Sequence, residues 1–347
     1  MSEKRARFRF SLIGLSTAYF ILLALVLAGV EWFAEYLLPL WLLLFAPTAL
    51  LLLPIALLAV FAIRYRHPRL LVAYAACVLL VAFGFNRYRF SGSVSPTPKT
   101  FTVISHNIGQ GNRWAFEEAF PGLNPDAVLL QDASGRQAVY SRRYPDLHMK
   151  NVAQFLLLSR HEIEQASLVQ DALWRKRPVA ARFVIRVEDR SVVLFNVHLP
   201  TPRRSLAHAL SKSVAKEMLW ISDAPTDDYP SYRSWLDARL ELARQLGEVF
   251  ARERLPFLVG GDFNTPDHGV VYRRFAGRLT DAHASAGRGW GFTFPGNGDG
   301  MLARVLGPWL RLDYLFAGPG WKPVDCRVAM DAQSQHRAVL ARFEPSH

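Results

Sequence analysis

FLVGGDFNTP, Phe257 to Pro266, decides how the rest of the chain is read. Its apolar start reads as the end of a buried strand. Two glycines follow, and then an aspartate and an asparagine, two residues apart, are delivered onto a loop. On an extended chain, residues two apart face the same side. Asp262 and Asn264 are therefore expected to share one side while Phe263 turns into the core. Gly260 and Gly261 are expected to let the backbone turn tightly and keep the approach clear of side chains. Taken alone, an aspartate after a strand is most often a turn former or a helix cap. The weight of the reading rests on what the other strand ends carry.

Seven further runs read as strands, rich in β-branched and aromatic residues. They are FTVISHN (Phe101–Asn107), DAVLLQD (Asp126–Asp132), FLLLSR (Phe155–Arg160), ARFVIRV (Ala181–Val187), SVVLFNVHL (Ser191–Leu199), RLDYLFAG (Arg311–Gly318) and RAVLARF (Arg337–Phe343). Leu236, Leu240, Ala243, Leu246 and Phe250 recur at helical spacing just before the Phe257 strand. Strands outnumber helices, which favours two packed sheets with helices outside. The strand ends carry His106 and Asn107, Gln131 and Asp132, Asn196 and His198, Asp262 and Asn264, and Asp313; SQHRAV adds Gln335 and His336 before the last strand. Carboxylates hold a hard cation such as magnesium through oxygen. Carboxamides hydrogen-bond an anion, and histidines move protons near neutral pH. Together they fit metal-assisted cleavage of a phosphate ester.

In this order, SHNIG, LLQD, LLSR, NVHL, GGDFN, RLDYLF and SQHRAV resemble the endonuclease/exonuclease/phosphatase superfamily. Its members include deoxyribonucleases, sphingomyelinases and inositol phosphatases. The resemblance spans about Phe101 to Phe343. It implies an α/β fold, a four-layer α/β/β/α sandwich with the site at one edge of the two sheets. It implies catalytic roles for His198, Asp262, Asn264, Asp313 and His336. His198 would act on the phosphate or leaving group, Asp262 on a proton, and Asn264 on the scissile phosphate. Asp313 would orient His336. It also implies a metal set of Asn107, Asp132 and Gln335, holding magnesium or, in its place, manganese. The sequence departs from the family pattern at Asp132, where a glutamate is usual, and at Gln335, where an aspartate is usual. The implied activity is hydrolysis of a phosphate ester: a lipid head group, a nucleic acid or a small phosphodiester. The rival reading is a catalytically silent module that holds a phosphate ligand in the same cleft. No protein partner is suggested.

The first ninety residues read differently. Ser11–Val30, Leu38–Ile63 and Leu70–Phe85 are almost free of charge, and a membrane span needs roughly 20 apolar residues. Three transmembrane helices are expected, anchoring the chain through residues 11–85. Lys4, Arg5, Arg7 and Arg9 precede the first segment, and Arg64, Arg66 and Arg69 lie between the second and third. Basic loops stay cytoplasmic, so the rest of the chain is expected outside, as in a bacterial inner-membrane protein with an extracytoplasmic catalytic domain. The expected division is a membrane region over 1–90, a linker over 91–99 (SGSVSPTPK) and a catalytic domain over 100–347. Residues 1–87 hold eight of the 41 Lys and Arg and three of the 29 acids, leaving 33 against 26 and a net +7 for the remainder. That suits phosphate-bearing partners without marking a nucleic-acid binder. Two cysteines, Cys77 and Cys326, exclude a disulfide framework or a zinc site. Leu210, Val214, Met218 and Ile221, with Trp220 beside them, give the 205–231 segment a helical period and make it a candidate substrate-selecting element.

Overall fold

The computed structural model describes residues 3–91, 100–111, 114–203, 205–206, 232–296, 301–330 and 334–346. The expected linker, apart from Ser91, and the 205–231 segment, apart from Ser205 and Leu206, lie outside them. The chain divides into two compact units. One holds residues 1–88 with His268–Val270, and the other holds 89–267 and 271–347.

The larger unit contains two six-stranded sheets. In spatial order the first runs Trp321–Val328, Val339–Pro345, Phe101–Asn107, Ala127–Gln131, Phe155–Ser159 and His148–Val152. The second runs Thr280–Asp281, Asp313–Ala317, Phe257–Asp262, Arg190–His198, Ala180–Val187 and Glu162–Leu168. Each has one parallel pair at its centre, Phe101–Asn107 with Ala127–Gln131 and Arg190–His198 with Phe257–Asp262. Buried strands alternate faces. Val103 and Leu129 enter the core between the sheets with Leu157, Phe183, Leu194, Leu258 and Leu315. Their neighbours Ile104, Val128 and Leu130 pack outward against Phe116, Tyr140 and Tyr144 of the helical segments. On the far side of the second sheet, Phe195 and Phe257 meet Phe250 of the helix Tyr232–Arg252, and Phe263 meets Phe275 of the helix Val270–Ala276. The order of layers is therefore helix, sheet, sheet, helix.

Register decides where chemistry collects. His198 stands opposite Asp262, and Asp262 opposite Asp313, across three adjacent strands. In the other sheet Asn107 is level with Gln131 where the parallel pair ends.

Among the described residues of the smaller unit, two helices are long and apolar enough to cross a membrane, Ser11–Phe33 and Pro68–Phe85. The middle segment, expected as one span, is instead broken. Leu38–Phe45 and Thr48–Arg64 meet at a bend of 106°. Pro47 is the physical reason. It offers no N–H, and it forces Ala46 to an extended ψ of 150, so the first helix stops there. Within this unit Glu31 pairs with Arg87 at 2.6 Å, Thr48 Oγ1 donates to Asn86 Oδ1 at 3.0 Å, and Ser16 Oγ lies 2.6 Å from Tyr74 Oη.

Candidate active site

Asp262 is the node of the site. It is 1% exposed, and its Oδ2 accepts from Asn107 Nδ2 at 2.9 Å and Asn264 Nδ2 at 3.1 Å. The same oxygen lies 3.6 Å from His198 Nε2 and 3.6 Å from His336 Nε2. The Asn107 bond crosses from one sheet to the other, so both sheets fix this carboxylate. Its Oδ1 accepts the backbone N–H of Asn264 at 2.9 Å.

That last bond corrects the extended-chain expectation. The strand ends at Asp262, and Asn264 has a left-handed φ of 49. An Asx-type turn, not strand alternation, brings the two side chains together. Asn264 also donates to Leu199 O at 2.9 Å. Both of its amide hydrogens are thereby used inside the protein, and its observed work is to orient Asp262. Phe263 is fully buried, as expected. The glycines act in packing rather than by opening the approach. A Cβ on Gly261 would lie 1.9 Å from Val197 O, and one on Gly260 would lie 2.8 Å from methyls of Leu129 and Leu315. Gly261, at φ 151, is needed for the close approach of two parallel strands.

Asp313 and His336 form the second part. Both are buried, and His336 Nδ1 lies 2.8 Å from Asp313 Oδ2. Burial disfavours a charge on His336, but the Asp313 and Asp262 carboxylates outweigh it and push the imidazole up to about 9. Burial also raises Asp313 above the ordinary carboxylate range, opposed by the His336 cation. The neighbouring carboxylates thus favour the imidazolium form of His336. Ser334 supports the loop from below, donating to Asn107 O at 2.7 Å and accepting from His336 N at 3.2 Å.

His198 is held differently. Its Nδ1 lies 2.8 Å from Gln154 Oε1, with Asp132 Oδ1 at 3.6 Å. Gln154 follows Ala153, whose φ is 52, in the tight turn joining His148–Val152 to Phe155–Ser159. Nothing in the sequence marked it, because it belongs to no motif and acts only through that turn.

The residues expected around a metal have separate engagements. Asn107 Oδ1 accepts Gly109 N–H at 2.9 Å. Gln335 is exposed, and its Oε1 accepts from Arg203 at 2.9 Å. Asp132, in a left-handed conformation with φ 51, keeps a partly exposed carboxylate. Magnesium commonly takes one or two protein carboxylates and completes its shell with water and substrate phosphate. Of the three expected ligands, Asp132 is the one whose carboxylate could serve such an ion. Asp262, Asp313 and His336 also bring ligand atoms within 4.8 Å of one another, a grouping able to hold a metal ion. His336 Nδ1, however, is already committed to Asp313.

Three strand-end residues stay out of the site. Gln131 and Asn196 are fully buried and bond each other across the sheets at 2.7 Å. His106 is fully buried and stacks on Trp114 at 4.6 Å. Burial, with the nearby His336 charge, pushes it down to about 3. Alternation along the strand turns His106 away from Asn107, whereas Gln131 and Asn196 are taken up by bonding each other between the sheets.

A family model, endonuclease/exonuclease/phosphatase, matches residues 104–336. Among solved structures, an endonuclease/exonuclease/phosphatase family protein from Bacteroides thetaiotaomicron is 16% identical with a TM-score of 0.50, covering 73% of this chain and 100% of its own. A functionally unknown conserved protein from Enterococcus faecalis is 14% identical with a TM-score of 0.49, covering 71% and 100%. A mannosyl-6-phosphatase from Bacteroides thetaiotaomicron is 14% identical with a TM-score of 0.48, covering 70% and 99%. No curated protein matches the sequence significantly. The first of these likenesses shows the fold, and the family match covers about two thirds of the sequence, including both histidines of the cleft. The chain belongs to the endonuclease/exonuclease/phosphatase family.

Proposed function

We propose that the chain is a membrane-anchored, magnesium-assisted hydrolase of phosphate esters. The observation that carries this reading is the hydrogen-bonded chain Asp313–His336 facing Asp262, with 2.8 Å and 3.6 Å between successive groups. Asp262, fixed by two amides, takes a proton from the attacking water. The water oxygen bonds to phosphorus, and the bond from phosphorus to the leaving oxygen breaks. His336, held protonated, directs its Nε2–H at negative charge building on the phosphoryl oxygens. His198, oriented by Gln154, presents Nε2 from the opposite side and returns a proton to the leaving oxygen. Asn107 keeps one amide hydrogen for the phosphate. Magnesium, when bound at Asp132, neutralises phosphoryl charge.

The anchoring reading has support inside the smaller unit. The Glu31–Arg87 pair and the Thr48–Asn86 bond set the end of the first helix, the start of Thr48–Arg64 and the end of the last helix on one side. Two crossings then separate Glu31 from Arg87, and Thr48–Arg64 supplies the first of them. Its five 3-10 and twelve α residues span about 28 Å, close to the roughly 30 Å of a hydrocarbon core. With the N-terminus and the Arg64–Arg69 loop inside, the catalytic unit is extracytoplasmic.

The test is turnover of bis(p-nitrophenyl) phosphate, phospholipids and DNA by the full chain in detergent, with magnesium and with chelator. Magnesium-dependent release of product is expected. Absence of turnover across the panel, with phosphate binding retained, would make the silent module the better reading.

A further inference from the structure

A cavity of about 360 Å³ adjoins the cleft, walled by Trp174, Arg175, Arg177, Thr201 and Trp235 and sharing His198 and Gln154 with the site. Its outer wall is a hairpin in which Leu173 and Trp174 pair with Pro178 and Arg177. The two turn residues, Arg175 and Lys176, both have positive φ, 49 and 64. This turn favours Asn-Gly or Asp-Gly. Non-glycine residues in that region are costly and collect at functional sites. Here the cost sets three successive cations, Arg175, Lys176 and Arg177, on one exposed turn. Among the described residues none of the three pairs with a carboxylate. The Arg175 guanidinium lies 5.6 Å from the centre of the Trp174 ring, a cation–π contact that does not use up its N–H donors.

We infer that this cavity is a leaving-group subsite selecting phosphate esters whose leaving group carries a second phosphate. The inference rests on the hydrolase reading for its chemistry, though not for its binding. His198, the group placed to protonate the leaving oxygen, lines the cavity itself, so a leaving group on that side enters it. The volume beside Trp174 accommodates a sugar-sized or ring-shaped body. Arg175 and Arg177 sit where a further anion on that body would reach. Guanidinium groups pair with phosphate through two parallel N–H bonds. A neutral leaving group would leave them unused, and a hydrogen bond to a charged group is worth about tenfold or more in affinity.

The test uses the full chain in detergent and two matched ligand pairs. Inositol 1-phosphate against inositol 1,4-bisphosphate is the soluble pair. Phosphatidylinositol against phosphatidylinositol 4-phosphate in mixed micelles is the lipid pair. Titration calorimetry on the soluble pair is expected to show the bisphosphate binding at least about tenfold more tightly. Arg177→Ala is expected to remove most of that preference, and Arg177→Lys to restore part of it. In turnover, Arg177→Ala should raise KM more for the ester with the second phosphate than for its partner. Whichever pair shows the larger ratio identifies a free or a lipid-borne substrate. Equal binding of the two soluble ligands, or equal losses within each pair on Arg177→Ala, would overturn the subsite. Arg177-dependent preference without turnover of any substrate would leave the subsite standing and remove the hydrolase reading instead.

Discussion

Asp313→Asn isolates what the buried carboxylate does for His336. The imidazole stands at about 9, against an ordinary 6.5, despite being 8% exposed. A displacement of that size is worth on the order of 3 kcal/mol in favour of the charged ring. Asp313, at 2.8 Å, is its nearest charge, with Asp262 adding at 3.6 Å. An asparagine keeps the shape and loses the charge, so burial then pulls His336 down towards 6.5. At pH 7 the protonated fraction falls from about 99% to about a quarter, a loss of about fourfold before any misorientation of the ring is counted. The pH dependence is more telling than the loss. Wild-type kcat/KM for an aryl phosphodiester should hold up to about pH 9 and then fall. In Asp313→Asn the falling limb should move down by about two pH units. A variant that loses activity equally at every pH, with its limb unmoved, would refute the imidazolium role and leave Asp313 as mere scaffolding.

Stability should fall on mild acidification. Burial pushes His106 down to about 3 and His283 down to about 4, so the folded state keeps both neutral while the unfolded chain protonates them below about 6.5. Their contribution is present above 6.5 and is lost below it. His336, raised to about 9, contributes in the opposite sense and offsets part of this loss. The net cost from pH 7 to pH 5 is about 3 kcal/mol by linkage, read as a drop in Tm. His106→Phe keeps the stack on Trp114 and removes two buried nitrogens that lack partners among the described residues, so it should raise Tm at pH 7 and flatten the acid slope. Gly261→Ala should cost about 3 kcal/mol or more, because the clash is with backbone, and lower Tm by about 6–12 °C. Gly260→Ala meets only leucine methyls and should cost less; equal Tm values for the two would contradict the close-approach explanation. Gln335→Asp would face Arg203 and form an ion pair, so alone it should barely change the magnesium concentration giving half activity. Adding Arg203→Ala should lower that concentration, and equal responses of the single and double variants would show that Arg203 does not hold residue 335.

The strands were legible because most are buried on both faces. Phe101–Asn107 and Phe155–Ser159 have no exposed position, and their apolar residues stand on both faces. Glu162–Leu168 and His148–Val152, at sheet edges, are largely polar and were not anticipated. The chemistry of the site was legible as residue types at strand ends, and register then joined His198, Asp262 and Asp313 in one row. Orientation was less so. His106 looked equivalent to Asn107, yet one residue of difference turns a side chain to the other face, and Gln131 and Asn196 are taken up by each other between the sheets. The turn that bends Asn264 back to Asp262, the Gln154 contact and the Arg203–Gln335 bond depend on loops whose course no periodicity sets. The break at Pro47 was the one such feature with a local signal, the proline itself, hidden by the apolar residues around it.

The most direct measurement is kcat of His336→Ala and of Asp262→Asn, each as folded full chain in detergent, on the best phosphate ester found with magnesium present. Positioned acid–base groups contribute about 10²–10⁴-fold, and each substitution is expected to reduce kcat by a factor in that range with Tm at pH 7 still resolved as a single transition. Wild-type kcat in both variants would show that the cleft around Asp262 is not where this chain cleaves its ester.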